Sequence, residues 1–263
     1  MIKRELIVNF KSFLIWTLIL VLMFLVVFLV YPHIITDDTV KNLNEMMKVF
    51  PEEILKSFNM DITNINTAYG WLKSEGFMFI LLIVGFYSSF LGANILLKEE
   101  NDKTIEYLAT LPIKRKRIMT SKIIVSYIYI FLLILIVGLF NYFALLISGD
   151  FNQIEYLLLS ITPIFIAYPL FALNLFISQY LHKTKKTVGI SLGLVFIFYL
   201  INVLSELSSS VELLKYFSIY TLADIRNVIL NVRINPINIV ISFIIGSIFI
   251  ILSYMKYNKK ELV

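Results

Sequence analysis

No cysteine occurs among the 263 residues, and histidine appears only twice, at His33 and His182. Disulfides, thiol nucleophiles and Cys-ligated metals are excluded together, and without an H-E-x-x-H pattern two lone histidines cannot furnish a zinc protease. Glycine is also scarce. None of the nine glycines is followed by lysine, so the chain carries no G-x-x-x-x-G-K-[ST] phosphate loop and does not hold ATP in that way. Charged residues make up 16% of the chain, against about 25% in ordinary soluble domains. What fills the sequence is apolar: 59% hydrophobic residues and a mean hydropathy of +0.85.

Those residues are gathered into runs. Phe13 to Tyr31, Phe77 to Leu97, Ile123 to Ile147, Leu157 to Leu181, Val188 to Leu204 and Ile237 to Met255 contain no Asp, Glu, Lys or Arg. About 20 apolar residues cross the hydrocarbon core as a helix, and a charge at its centre costs about 2.5 to 3.5 kcal/mol on insertion scales. Six spanning helices are therefore predicted, in an all-α integral membrane protein with a single domain over 1–263. The runs are apolar on every face and do not alternate, which excludes a β-barrel. The first run is too long for a signal-peptide core and no small-residue cleavage pair follows it, so it is read as retained.

Orientation follows from lysine and arginine. With both termini in the cytoplasm, 16 basic and 6 acidic residues lie inside, a net charge of +10, against 7 basic and 12 acidic residues outside, a net charge of −5. The basic excess is thus an orientation signal, and no nucleic-acid partner is expected. Residues 1–12 place Ile2, Leu6, Phe10 and Phe13 at helical spacing, which predicts an amphipathic helix in the cytoplasmic interface before the chain turns into the bilayer. In the outer loop 32–76, "VFPEEILKSFNM" predicts a short helix opened by Pro51. Further short outer helices are predicted at Val211 to Tyr216 and in "TLADIRNVIL".

Between the second and third runs lies "LLKEENDKTIEYLATLPIKRKRIMTSK", residues 96–122. Its charges cannot lie in lipid. Thr104, Leu108 and Leu111 fall at i, i+4 and i+7 with Ile105 alongside, which predicts a short amphipathic cytosolic helix closed at Pro112, followed by the basic run Lys114 to Arg117. The positive-inside rule accounts for the basic run, but not for an apolar stripe kept in the cytosol.

This stretch resembles the signature of ABC-2 type transporter permeases: an acidic cluster, a Thr-x-Glu-x-Leu segment, a proline, and a basic residue before the third span. Glu99, Glu100, Thr104, Glu106, Leu108, Pro112 and Arg115 occupy those positions, and Lys103 stands where many members have glycine. The "KREL" start, the long first outer loop, the six spans and the basic tail "YNKKEL" extend the resemblance over the whole chain. It implies an exporter subunit in a bacterial plasma membrane, working beside a second permease copy or paralogue. In such proteins a coupling helix within the segment corresponding to 98–117 docks on a separate ATPase subunit, which carries the ATP and Mg while the permease binds no cofactor. The contact residues implied are Glu99, Glu100, Thr104, Ile105, Glu106, Leu108, Leu111, Pro112 and Arg115. The short basic "HKTKKT" between the fourth and fifth runs is a candidate for a smaller second contact.

Within the spans, Asn94, Asn141, Asn174, Gln179 and Asn202 are isolated polar residues, read first as interhelical hydrogen-bonding glue and second as a translocation path. Pro163 and Pro169 predict kinks in the fourth span, and Gly85, Ser88 and Gly92 predict close packing of the second. "GISLG", Gly189 to Gly193, matches the serine-hydrolase elbow around Ser191 but opens a predicted transmembrane helix, where Gly189 and Gly193 are better read as a G-x-x-x-G packing pair. Two other readings stay open: a non-transporting anchor that docks a soluble partner through the charged stretch and, more remotely, an intramembrane hydrolase using Ser191.

Overall fold

A computed structural model describes residues 1–34, 41, 45, 67–101, 114–181, 183–207 and 209–259. The described residues form helices, with no strand among them. Among the described residues, six helical stretches are long and apolar enough to cross a membrane: Ile2–Tyr31, Ala68–Asn94, Arg115–Ser148, Gln153–Ser178, Thr184–Leu207 and Pro236–Lys259, spans 1 to 6 below. Each of the six charge-free runs supplies the body of one span, including the short fifth run, which lies within a 24-residue helix.

Span 1 belongs to an unbroken 33-residue α-helix, Ile2–Ile34. From Ile2 to Tyr31 the sequence offers neither proline nor glycine to interrupt it. At 1.5 Å per residue it measures about 50 Å, against a hydrocarbon core of about 30 Å. Residues 1–12 are therefore helical as expected, but no turn separates them from the span. Their packing face also differs from the expected one. Glu5, Asn9 and Phe13 are buried at i, i+4 and i+8, while Ile2 and Phe10 are exposed. The polar face of this segment turns inward, to partners described below.

Span 2 starts earlier than its apolar run. The Thr67 hydroxyl accepts from the Gly70 amide at 3.0 Å and caps Ala68–Trp71, a π-helical turn follows at Leu72–Gly76, and Phe77–Asn94 completes the span. Lys73, carried in by this extension, pairs at 3.3 Å with Glu155, carried in by the extension of span 4. Span 4 is two helices: Gln153–Ile161, capped by the Asn152 side chain, and Pro163–Ser178. The chain breaks at Thr162 because Pro163 has no amide hydrogen to continue the ladder, and proline suits the first position of a new helix. Pro169, the second predicted kink, stays inside the helix.

Spans 2 and 4 are the most buried, and span 4 lies between spans 2 and 6. Glycine makes the closest approach possible. A Cβ on Gly92 would stand 2.4 Å from the Phe171 carbonyl oxygen and 3.0 Å from the Leu175 nitrogen, and beside it the Asn174 amide donates to Ser89 Oγ at 2.9 Å. Spans 5 and 6 bury small or polar residues, such as Thr187, Ser191, Ser242, Gly246 and Ser253, and expose Ile, Leu and Phe. That inversion of the soluble pattern is the expected signature of helices packed in lipid.

On the side opposite the chain termini, the connector from span 5 to span 6 folds as two 3₁₀ stretches, Ser209–Phe217 and Ile219–Ala223, followed by the α-helix Ile225–Asn231. The expected helix at Val211 to Tyr216 is thus 3₁₀, and the one in "TLADIRNVIL" begins only at Ile225. Ile219, Tyr220, Leu222 and Ala223 are buried among the spans, with the Tyr220 hydroxyl over Gly85. The expected helix opened by Pro51 lies outside the described residues.

Candidate functional site

The charged stretch after span 2 starts from a buried ion cluster. Span 2 ends at Asn94, the chain turns at Ile95–Leu96, and a short helix, Leu97–Asn101, leads into residues 102–113. The chain is described again from Lys114, and span 3 begins at Arg115. On the first turns of span 3, Ile118, Met119, Lys122, Val125, Ser126 and Tyr129 form the buried face by helical periodicity.

Lys122 is only 2% exposed, and its Nζ has three acceptors: Glu5 Oε2 at 3.2 Å, Glu99 Oε1 at 3.1 Å and the Ile95 carbonyl at 3.0 Å. A lysine ammonium has three hydrogens, so this one is saturated. The Ile95 carbonyl is one of the orphan acceptors that a helix end leaves behind, and Lys122 satisfies it. Arg4 adds a contact to Glu99 Oε1 at 3.3 Å. Two cations and two carboxylates balance to zero, the condition under which buried charge is tolerable.

Further bonds surround the cluster. Tyr129 Oη donates to the Leu6 carbonyl at 2.5 Å, and its ring stacks on Phe13 at 4.8 Å. Lys98 Nζ reaches the Val8 carbonyl at 3.2 Å, and the Asn9 amide donates to the Glu5 carbonyl at 2.9 Å. Asn101 donates to Thr184 Oγ1 at the start of span 5. The two arms that flank residues 102–113 are thereby fastened to each other and to spans 1 and 5.

Of the residues implied as contacts for a partner, Thr104, Ile105, Glu106, Leu108, Leu111 and Pro112 lie outside the described residues. Glu100 is in the helix Leu97–Asn101. Glu99 is 7% exposed and turned into the ion cluster. Arg115 is exposed, with a guanidinium nitrogen 3.4 Å from the Asn258 carbonyl near the end of span 6. Lys122 carried no sequence signal beyond the positive-inside count. Its spacing from Ile118 and Met119, on the side that then runs into Val125 and Tyr129, was the available clue.

The five polar residues of the spans do not converge, and none is bonded to another of the five. Asn94 is half-buried at the last turn of its helix. Asn141 is fully buried, and neither atom of its amide has a partner among the described residues. Asn174 joins span 4 to Ser89 of span 2, and the Gln179 amide donates to its own helix at Leu175. Asn202 donates to Glu206 at 3.3 Å and accepts from Thr221 at 3.1 Å, at a cavity of about 70 Å³ also lined by Tyr199, Asp224 and Arg226. That volume holds about two waters. Burial raises the Asp224 carboxyl from its ordinary value, while the Asn227 amide and Lys215 oppose the shift.

Among the described residues, nothing packs against Gly189 or Gly193. Both are exposed, with nothing within 4 Å of a Cβ built on either. Ser191 faces the other way, fully buried in the middle of a continuous helix. The strand, sharp turn and exposed serine that a hydrolase elbow requires are all missing there. No group of three or more metal-ligating side chains occurs among the described residues.

The family described as "ABC-2 family transporter protein" matches residues 2–262. No curated protein and no solved structure matches the chain.

Proposed function

The chain belongs to the ABC-2 transporter family, and from that premise we propose that it is the permease subunit of an exporter driven by ATP hydrolysis on a separate ATPase subunit. Membership and six apolar helices make it an integral membrane transport component. The proposal adds the direction of transport, a bacterial plasma membrane, cytoplasmic termini, and docking of the ATPase on segment 98–117, with ATP and Mg held by that partner. Thr104, Ile105, Leu108 and Leu111 form the gripped stripe, with Glu100, Glu106, Pro112 and Arg115 beside it.

The observation that carries this reading is the ion cluster around Lys122. A push on residues 102–113 needs a stiff root if it is to move helices rather than bend a loop. Both arms of the segment enter a buried, charge-balanced cluster shared by spans 1, 2 and 3, so they would be displaced as one body with those helices. Glu99 serves as part of that root rather than touching the partner. A second copy of the permease is favoured by span 5, where Gly189, Gly193, Ile197, Leu200 and Leu204 line one exposed face by helical spacing.

The test is copurification with a tagged ATPase in mild detergent. Leu108→Asp places an unpaired charge in an apolar cleft, a loss of several kcal/mol. The spans should still insert while the ATPase is lost. Retention of the partner at wild-type levels would refute docking through this stripe and favour the anchor reading or another contact.

A further inference from the structure

A groove of about 470 Å³ opens beside the first turns of span 6, at the membrane face opposite the ion cluster. Its volume lies in the range of small-molecule sites, roughly 300 to 1,000 Å³. Its lining is mixed: Lys215, Asp224 and Asn238 are polar, while Ile241 and Ile245 follow Asn238 along span 6. From Asn238 to Ile245 a helix advances about 10 Å at 1.5 Å per residue, a length along which an acyl chain could follow the span inward from its polar end. Tyr216 and Phe217, 76% and 71% exposed at the rim, mark the interfacial level where aromatic side chains collect.

The lining carries charge of both signs. Lys215 Nζ gives one hydrogen to Glu212 at 2.5 Å, which leaves two further donors. The Asp224 carboxyl is approached by the Asn227 backbone amide and, at 3.4 Å, by the Asn238 amide from span 6. Asp224 is also held at φ 43°, a left-handed conformation that is uncommon for a non-glycine residue and that fixes its position in the wall between this groove and the 70 Å³ cavity.

We propose that this groove binds a zwitterionic phospholipid, with the phosphate at Lys215, the headgroup ammonium at Asp224 and an acyl chain along Ile241 and Ile245. An anionic headgroup without the ammonium offers Asp224 no cation. A wholly apolar occupant uses neither the lysine nor the aspartate. The site does not depend on the transport reading, and its test needs no ATPase.

The full chain, purified in mild detergent and stripped of lipid, is titrated by native mass spectrometry with phosphatidylethanolamine and, separately, with phosphatidylglycerol of identical acyl chains. One saturable phosphatidylethanolamine adduct per chain is expected, about fivefold tighter than phosphatidylglycerol, the size of one exposed ion pair. Asp224→Asn, which keeps a residue tolerant of the left-handed conformation, should erase that preference. Ile241→Trp fills the groove and should weaken the adduct about tenfold by displacing part of the chain. Ile248→Trp, exposed on the same helix outside the groove, should leave it unchanged. The proposal is overturned by the absence of a saturable adduct, by equal binding in the two tryptophan variants (annular lipid only), or by phosphatidylglycerol binding as well as phosphatidylethanolamine. Loss of a protein dimer in Ile241→Trp with lipid binding intact would assign the groove to a second copy instead, and Asp224→Asn decides the headgroup even if Ile241→Trp does not fold.

Discussion

Replacing Lys122 with methionine keeps the length of the side chain and removes its charge. In the native cluster Lys122 is 2% exposed and its two carboxylate partners, Glu5 and Glu99, have side chains only 3% and 9% exposed. After the substitution, Arg4 still faces Glu99 at 3.3 Å, but Glu5 has no cation and the Ile95 carbonyl has no donor. Breaking a buried pair by removing one partner costs about 3 to 5 kcal/mol, because the remaining charge is left uncompensated. At about 2 to 4 °C per kcal/mol for a chain near this size, the expected loss in thermal midpoint is roughly 6 to 20 °C. The assay is thermal unfolding of the purified chain in detergent. Salt separates a buried cluster from a surface one, since the loss should be equal in dilute and in concentrated salt. The triple variant Glu5→Gln, Glu99→Gln, Lys122→Met removes all three buried charges and should recover most of the midpoint, because neutral replacement of a whole buried ion cluster is often close to cost-free. If Lys122→Met shifts the midpoint by less than about 2 °C, or if the triple variant is worse than the single one, the cluster is not the buried clamp described above and the stiff-root argument for coupling fails with it.

Three further outcomes follow from particular sites. Cysteines placed singly at Asn64 and Gly149 of this cysteine-free chain should react with an impermeant thiol reagent in sealed cells, while one at Thr110 should not; labelling at Thr110 reverses the proposed orientation. Gly92→Ala drives a methyl group to 2.4 Å from the Phe171 carbonyl oxygen, so spans 2 and 4 must separate, and a destabilisation of about 1 to 3 kcal/mol is expected in denaturant unfolding; an unchanged midpoint would mean that the two helices are not in backbone contact. Val232, a β-branched residue at φ 50° that ends the helix Ile225–Asn231, should become more stable as Val232→Gly by about 1 kcal/mol, since glycine carries no penalty there, and a loss of stability in the same melt would show that its side-chain packing outweighs the strain.

The sequence by itself determined the helices and their immersion. Six runs without a charge can only be satisfied as membrane helices, because lipid offers the backbone no hydrogen-bond partners and makes each exposed charge expensive. Local chemistry also marked some joints: Pro163 ended one helix and began the next, and Gly92 allowed two backbones to meet. The family signature was legible as well, since it consists of residue types in a fixed local order. Which way each polar side chain points belonged to the tertiary structure. Glu99 looked like one more acid in a solvated stretch until the turn at Ile95–Leu96 aimed it at Lys122, 23 residues further along the chain. Glu5 broke the apolar stripe expected of residues 1–12 because its partner, Lys122, comes from span 3, which no periodicity within those residues encodes. Gly189 and Gly193 carry a packing motif that this chain leaves uncovered, since the motif specifies a close approach without naming the partner. Charge placement in a membrane protein is decided by pairing, and pairing is a property of helices brought together after each has formed.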